Sequence, residues 1–298
     1  MRRQACLIAL CVGLLINQFA LAAELPTRWV SAGGAMSEWV VALGGESKLV
    51  GVDTTSLHPD TLKALPSIGY QRQLSAEGIL SLRPNILIGT EEMGPPPVLE
   101  QLKAAGVRVE VLSADAQLPA MKDNVQRLGQ LLGAEAKAGQ LVDAFQQQLQ
   151  RQQAWVATAQ QQHTAPGVLL LVGHAGSKPM VAGTGTVGDW VIKQAGGRNL
   201  ATHSGYKVFS VEAMAGLNPE VLIFSDRALH GEAAQQALLK ENPLLAATKA
   251  ARDGRLVEMD PTLLVGGLGP RLPQSLQQLS SALYPDKEPM NAKAQPQP

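Results

Sequence analysis

The sequence predicts an α/β chain: two Rossmann-like βα lobes with mostly parallel sheets, joined by one long α-helix, with a ligand cleft between the lobes. Three observations predict it. Short apolar, β-rich runs alternate with helix-like stretches in both halves of the chain. A Pro-free, Gln-rich segment separates the two alternating regions. One stretch of sequence is written twice.

In the first half "RWVSAG", "KLVGVD", "NILIGT" and "VRVEVLS" read as short buried strands, and "AMSEWVVALG", "SAEGILSL" and "PVLEQLKAAG" as the helices between them. Gly106 suits a helix C-terminus before "VRVEVLS". From about Met121 to His163 the chain is helix-permissive. "EAKAGQLVDAFQQQLQRQQAWVATAQQQH" reads as one helix, with Leu141, Phe145, Leu149 and Val156 near helical spacing. It lacks the sustained heptad of a coiled coil. After Ala165-Pro166 the alternation resumes. "GVLLLVGH", "PMVAGT", "EVLIFS" and "RLVEMD" read as strands, "TVGDWVIKQAG" and "LPQSLQQLSSALY" as helices. The expected divisions are a leader over 1–23, a first lobe over 24–135, a linking helix over 136–164, a second lobe over 165–285 and a disordered tail over 286–298.

The repeat supports the two-lobe plan. "SIGYQRQLSAEGILSLRPNILIG" and "HSGYKVFSVEAMAGLNPEVLIFS" share a Gly-Tyr, a Ser-x-Glu, a Leu-x-Pro and an apolar run. The offset is 135 residues for Glu77 and Glu212, for Pro84 and Pro219, and for Ile88 and Ile223. Ligands of open α/β sheets bind outside the carboxyl ends of the strands. That places the Gly33-Gly34 turn, Thr90–Met93, His174 and Ser225–Arg227 at the cleft.

Arg2 and Arg3, an apolar run from Ala5 to Leu15 and the small residues Ala20-Leu21-Ala22 form a secretory signal, cut after about Ala22 or Ala23. Both cysteines, Cys6 and Cys11, lie within it, so the mature chain offers no disulfide and no thiolate. The leader takes two of the 25 basic residues against 25 acidic ones and leaves a net charge of about −2. That balance argues against a nucleic-acid partner. No later stretch is long and apolar enough to span a membrane.

"SAGGAMSEWVVALG", "LVGVDTTS", "SIGYQRQLSAEGILSLRPNILIGTEEMGPP" and "LGPRLPQSL" resemble the periplasmic haem-binding proteins of bacterial haem ABC importers. These belong to the helix-linked class of solute-binding proteins, alongside vitamin B12 and siderophore binders. Gly-Tyr-Gln-Arg is the stretch that speaks for haem; "LSLRPNILIG" is shared across the class. The resemblance implies a monomeric periplasmic carrier that takes one haem, or two stacked ones, to an inner-membrane permease dimer.

It also implies residue roles. Tyr70, by spacing alone a packed loop aromatic, becomes the axial ligand of ferric haem iron. A phenol of pKa ~10 binds Fe(III) as phenolate, and Arg72 two residues on favours that anion. Arg227 is the candidate for a haem propionate, with Lys207 and Lys178 weaker ones. His174 is a candidate second iron ligand, and Met93 a residue packing on the porphyrin. Glu77 and Glu212, which equally suit helix capping after Ser75 and Ser210, are the expected contacts to the permease.

Rival readings stay in view. The same cleft suits vitamin B12 or a ferric siderophore. Zinc or manganese would need several converging His, Asp or Glu, and His58 and His174 lack evident partners. For an enzyme, the chain lacks a Gly-x-Ser-x-Gly elbow, a Walker loop and His-Glu-x-x-His. "AGTGTVGDW" only loosely echoes a nucleotide fingerprint and reads as a turn entering a helix.

Overall fold

The computed structural model describes residues 25–173, 180–226 and 229–288. The leader, the last ten residues and the loops holding His174, Lys178 and Arg227 lie outside the described residues. The first lobe comprises β1 (Trp29–Ala32), α1 (Gly34–Ala42), β2 (Leu49–Val52), α2 (Ala76–Ser81), β3 (Ile86–Thr90), α3 (Pro96–Ala104), β4 (Arg108–Leu112) and α4 (Leu118–Leu132). Helix α5 (Glu135–Ala159) follows. The second lobe holds β5 (Gly167–Val172), β6 (Met180–Ala182), α6 (Val187–Gln194), β7 (Arg198–Asn199), β8 (Tyr206–Val208), α7 (Val211–Gly216), β9 (Val221–Ser225), α8 (Gly231–Glu241), α9 (Lys249–Arg252), β10 (Leu256–Glu258) and α10 (Leu272–Leu283).

The first sheet has the order β2-β1-β3-β4 and is parallel throughout. Its central strand β3, Ile-Leu-Ile-Gly-Thr, is buried at every position, as a parallel strand covered on both faces must be. Strand order reverses between β1 and β3, which opens a crevice at their carboxyl ends. The second sheet runs β10-β9-β5-β6-β8, with β7 paired to β5. It is mixed. β10, β9 and β5 are parallel, whereas β6 is antiparallel to both β5 and β8. The β5–β6 connection is too short for the helical crossover that a parallel pair requires.

The repeated sentence is a repeated structure. Ser75 and Ser210 cap α2 and α7 by accepting from the backbone N–H of Gly78 and Ala213. Ile79 and Met214 plug each helix onto its sheet, both fully buried. Arg83 and Asn218 both turn the chain with positive φ before Pro84 and Pro219. Asn85 then accepts from the N–H of Arg28 next to β1, and Glu220 from that of Gly167 in β5, so each copy fastens its strand to the neighbouring one.

Helix α4 ends at Gly133 in the left-handed conformation, which separates it from α5. Helix α5 turns Ala138, Val142, Phe145, Leu149, Gln152, Val156 and Ala159 inward, a stripe that uses Val142 where Leu141 was expected. Phe145 packs on Trp39 of α1 with ring centroids 6.0 Å apart. Gln152 donates to Ser280 of α10. One continuous apolar core therefore runs from the first sheet through α5 to the second lobe.

A second join lies beyond β10. Residues 265–271 cross back to α1. Ala35 N–H donates to Val265 O at 3.3 Å, and Trp39 Nε1 to Leu268 O at 2.9 Å. Arg271 donates twice to Glu38, at 2.7 and 3.0 Å, and also to Asp260 and Thr262. Burial pushes the Glu38 carboxyl above the usual carboxylate range despite this arginine. Asp260 is also lifted by burial, but its bonds to Thr262 and Arg271 prevail and hold it below that range.

Candidate ligand-binding cleft

The Tyr70 loop lies beside the crevice between β1 and β3, tied to the segments that follow β2 and β3. Gly69 has φ +84 and gives its carbonyl to Thr54 N–H at 3.0 Å. Tyr70 through Gln73 form a turn closed by Gln73 N–H on Tyr70 O at 2.8 Å. The Tyr70 side chain is half-buried. Gln71 is wholly buried; its carbonyl accepts from Gly94 N–H at 2.9 Å, which ties the loop to the segment after β3. Gln71 Oε1, against Gly33, has no hydrogen-bond partner.

Glu92 is the anchor that the sequence reading did not single out. It pairs with the exposed Arg72 and accepts from Gln71 Nε2 at 3.4 Å. The two residues that follow the tyrosine thus converge on one carboxylate. Arg72 shares its charge with Glu92. The signal for Glu92 lay in "GTEEMG": a carboxylate just past a cleft-facing strand invites a cationic partner.

Met93 is a correction. It is 4 % exposed and sits in a core of Val30, Ile68, Leu74, Ile79 and Leu87, not on the cleft surface. Its sulfur fills the space that a Cβ at Gly89 would need, so β3 carries glycine there. A short turn, closed by Met93 N–H on Thr90 O, directs the side chain back under the sheet.

The Gly33-Gly34 turn is closed by internal hydrogen bonds. Its N–H groups are already taken. Gly33 donates to Asp53 Oδ1 at 3.0 Å and Gly34 to Thr55 Oγ1 at 2.9 Å. Asp53, 2 % exposed, also accepts from the Thr55 and Ser56 hydroxyls. A phosphate at the start of α1 would meet an internal carboxylate instead of open donors. The α6 entrance is occupied likewise: Thr186 caps it and Asp189 lies in its first turn, held by Lys193 and Asn199. "AGTGTVGDW" is thus the turn entering a helix that its sequence suggested.

Glu77 and Glu212 both lie exposed in the first turns of α2 and α7. Hydrogen bonds from its own N–H and from Ser210 hold the Glu212 carboxyl below its usual range. Lys207 is exposed on β8. The loops after β2 and β10 enclose a cavity of about 440 Å³, lined by Thr54, His58, Lys63, His230, Glu258 and Asp260 among others. In it His58 pairs with Asp260 at 2.9 Å and His230 with Glu258 at 2.7 Å. Among the described residues no group of three or more His, Cys, Asp or Glu is arranged to hold a metal ion. No described helix is long and apolar enough to cross a membrane.

The profile of the periplasmic binding protein family matches residues 30–263. The chain belongs to that family. A periplasmic haem-binding protein from Pseudomonas aeruginosa is 62 % identical; the likeness covers 90 % of this chain and 96 % of that one, with a TM-score of 0.88. A periplasmic haem-binding protein of Vibrio cholerae is 37 % identical over 87 % of this chain and 99 % of its own, with a TM-score of 0.75. A vitamin B12-binding protein of Yersinia pseudotuberculosis is 25 % identical over 217 residues, which is 72 % of this chain and 75 % of that relative. As a periplasmic binding protein, the chain uses two lobes, with α5 between them in the shared core.

Proposed function

We propose that this chain captures haem between its lobes in the periplasm and hands it to an inner-membrane ABC permease. The observation that carries this is the Tyr70-Gln71-Arg72 turn, braced on Glu92 at the β1–β3 crevice, in a chain 62 % identical to a haem-binding protein. Tyr70 ligates the ferric iron as phenolate. Arg72 stabilises that anion and receives a propionate, and Arg227 from the second lobe receives the other. His174 is the candidate ligand for the opposite face or for a second haem. Glu77 and Glu212, exposed at matching positions of the two copies, meet the two halves of the permease. The N-terminal segment serves as the export signal, and the chain binds rather than converts its ligand.

The test is a set of parallel titrations of the purified mature chain with ferric haem, cyanocobalamin and a ferric siderophore. Saturable binding of haem alone, with intact haem recovered afterwards, is the expected result. Tighter binding of either rival would overturn the haem reading, and recovered breakdown products would point to an enzyme.

A further inference from the structure

Tyr206 is the second-copy counterpart of Tyr70. Each follows a glycine of positive φ, Gly69 with φ +84 and Gly205 with φ +73. Tyr206 opens β8, paired to Ala182 of β6, and its ring packs against the core shared by both lobes. Its hydroxyl is buried beside Thr186 and Gly188, at the entrance of α6; both groups act on it, but neither makes a hydrogen bond of normal geometry with it. Buried phenols normally find one, and an unmade bond of this kind costs about 1–3 kcal/mol. Phenylalanine would pack equally well without that cost.

Charges of the other lobe reach this phenol. Burial, the largest influence, pushes it up to about 12, and Glu92 and Arg72 both act on it electrostatically. The group therefore keeps its proton and is a donor, unlike a phenolate ligand. It has a proton to give, no acceptor in normal hydrogen-bond geometry, and lies within electrostatic reach of the Arg72–Glu92 pair.

We infer that Tyr206 is the second lobe's hydrogen-bond donor to the ligand carboxylate that Arg72 receives, so that one carboxylate is gripped from both lobes. This rests on the haem reading above and adds to it a residue that selects for the propionate. The polar cost of the buried hydroxyl in the free chain is then relieved on loading.

The test compares the wild-type chain and Tyr206→Phe with two probes, ferric protoporphyrin IX and its dimethyl ester. For the acid form the variant should bind about tenfold or more weakly, as for one lost bond to a charged group. For the ester the two proteins should match. The melting temperature of the ligand-free variant should be unchanged or higher, because a buried unpaired hydroxyl has gone; a merely structural tyrosine would lower it. The tyrosinate-type spectrum from Tyr70 should persist. Equal affinities for the acid form, or an equal loss with the ester, would overturn this inference alone. Absence of saturable haem binding to the wild-type chain would overturn the haem reading with it.

Discussion

Replacing Arg271 by leucine removes the cation that joins the lobes. Glu38 is 6 % exposed and takes two of its hydrogen bonds from this guanidinium; Asp260 takes a third. Breaking a buried pair by deleting one partner costs about 3–5 kcal/mol, because the remaining charge is left without compensation. For a chain of this size that corresponds to a fall of roughly 10 °C in melting temperature. Urea unfolding followed by far-ultraviolet circular dichroism measures it at fixed pH. The pH dependence carries the sign. Glu38 already binds its proton more tightly in the fold than in the unfolded chain. The stability linked to such a carboxyl is present at low pH and is lost as pH rises through its folded pKa. Without Arg271 that pKa rises further, so the gap between variant and wild type should narrow as pH falls from 7.5 toward 5. Adding Glu38→Leu should recover most of the loss at neutral pH. A loss under about 1 kcal/mol, a gap that ignores pH, or a double variant no better than the single one would refute the reasoning.

Asp53→Ala should strip the Gly33 turn of its acceptor and leave buried donors at Gly33, Thr55 and Ser56 unpaired. We expect a loss of about 2–4 kcal/mol, read by the same unfolding experiment; a change within 0.5 kcal/mol, roughly the scatter of surface substitutions, would contradict the role given to Asp53. Glu77→Lys with Glu212→Lys should abolish haem-dependent growth of a strain relying on this importer while leaving the haem titration unchanged, with each single change intermediate; undiminished growth would remove the docking role.

Much of the fold was legible because its strands are short apolar runs with helices between them, and buried parallel strands such as Ile86–Thr90 and Val221–Ser225 announce themselves by composition. The repeat was legible down to its serine caps. What escaped was set by contacts distant in sequence. Whether Met93 faces cleft or core depends on one short turn after β3. The antiparallel placement of β6 is decided by a connection too short to cross over, and β8 is too brief to stand out, which left Tyr206 unnoticed inside a stretch already quoted for its Gly-Tyr. Arg271 lay within "LGPRLPQSL", but only the fold brings it to Glu38, 233 positions away.

The most direct test of the account is an absorbance titration of the mature chain with ferric haem beside Tyr70→Phe. The account predicts a saturable Soret change at one equivalent, or at two if a second haem stacks in the cleft, with a tyrosinate-type spectrum that the variant lacks. A variant that binds with the same spectrum and affinity as the wild type would contradict it, because the iron would then be held by another residue.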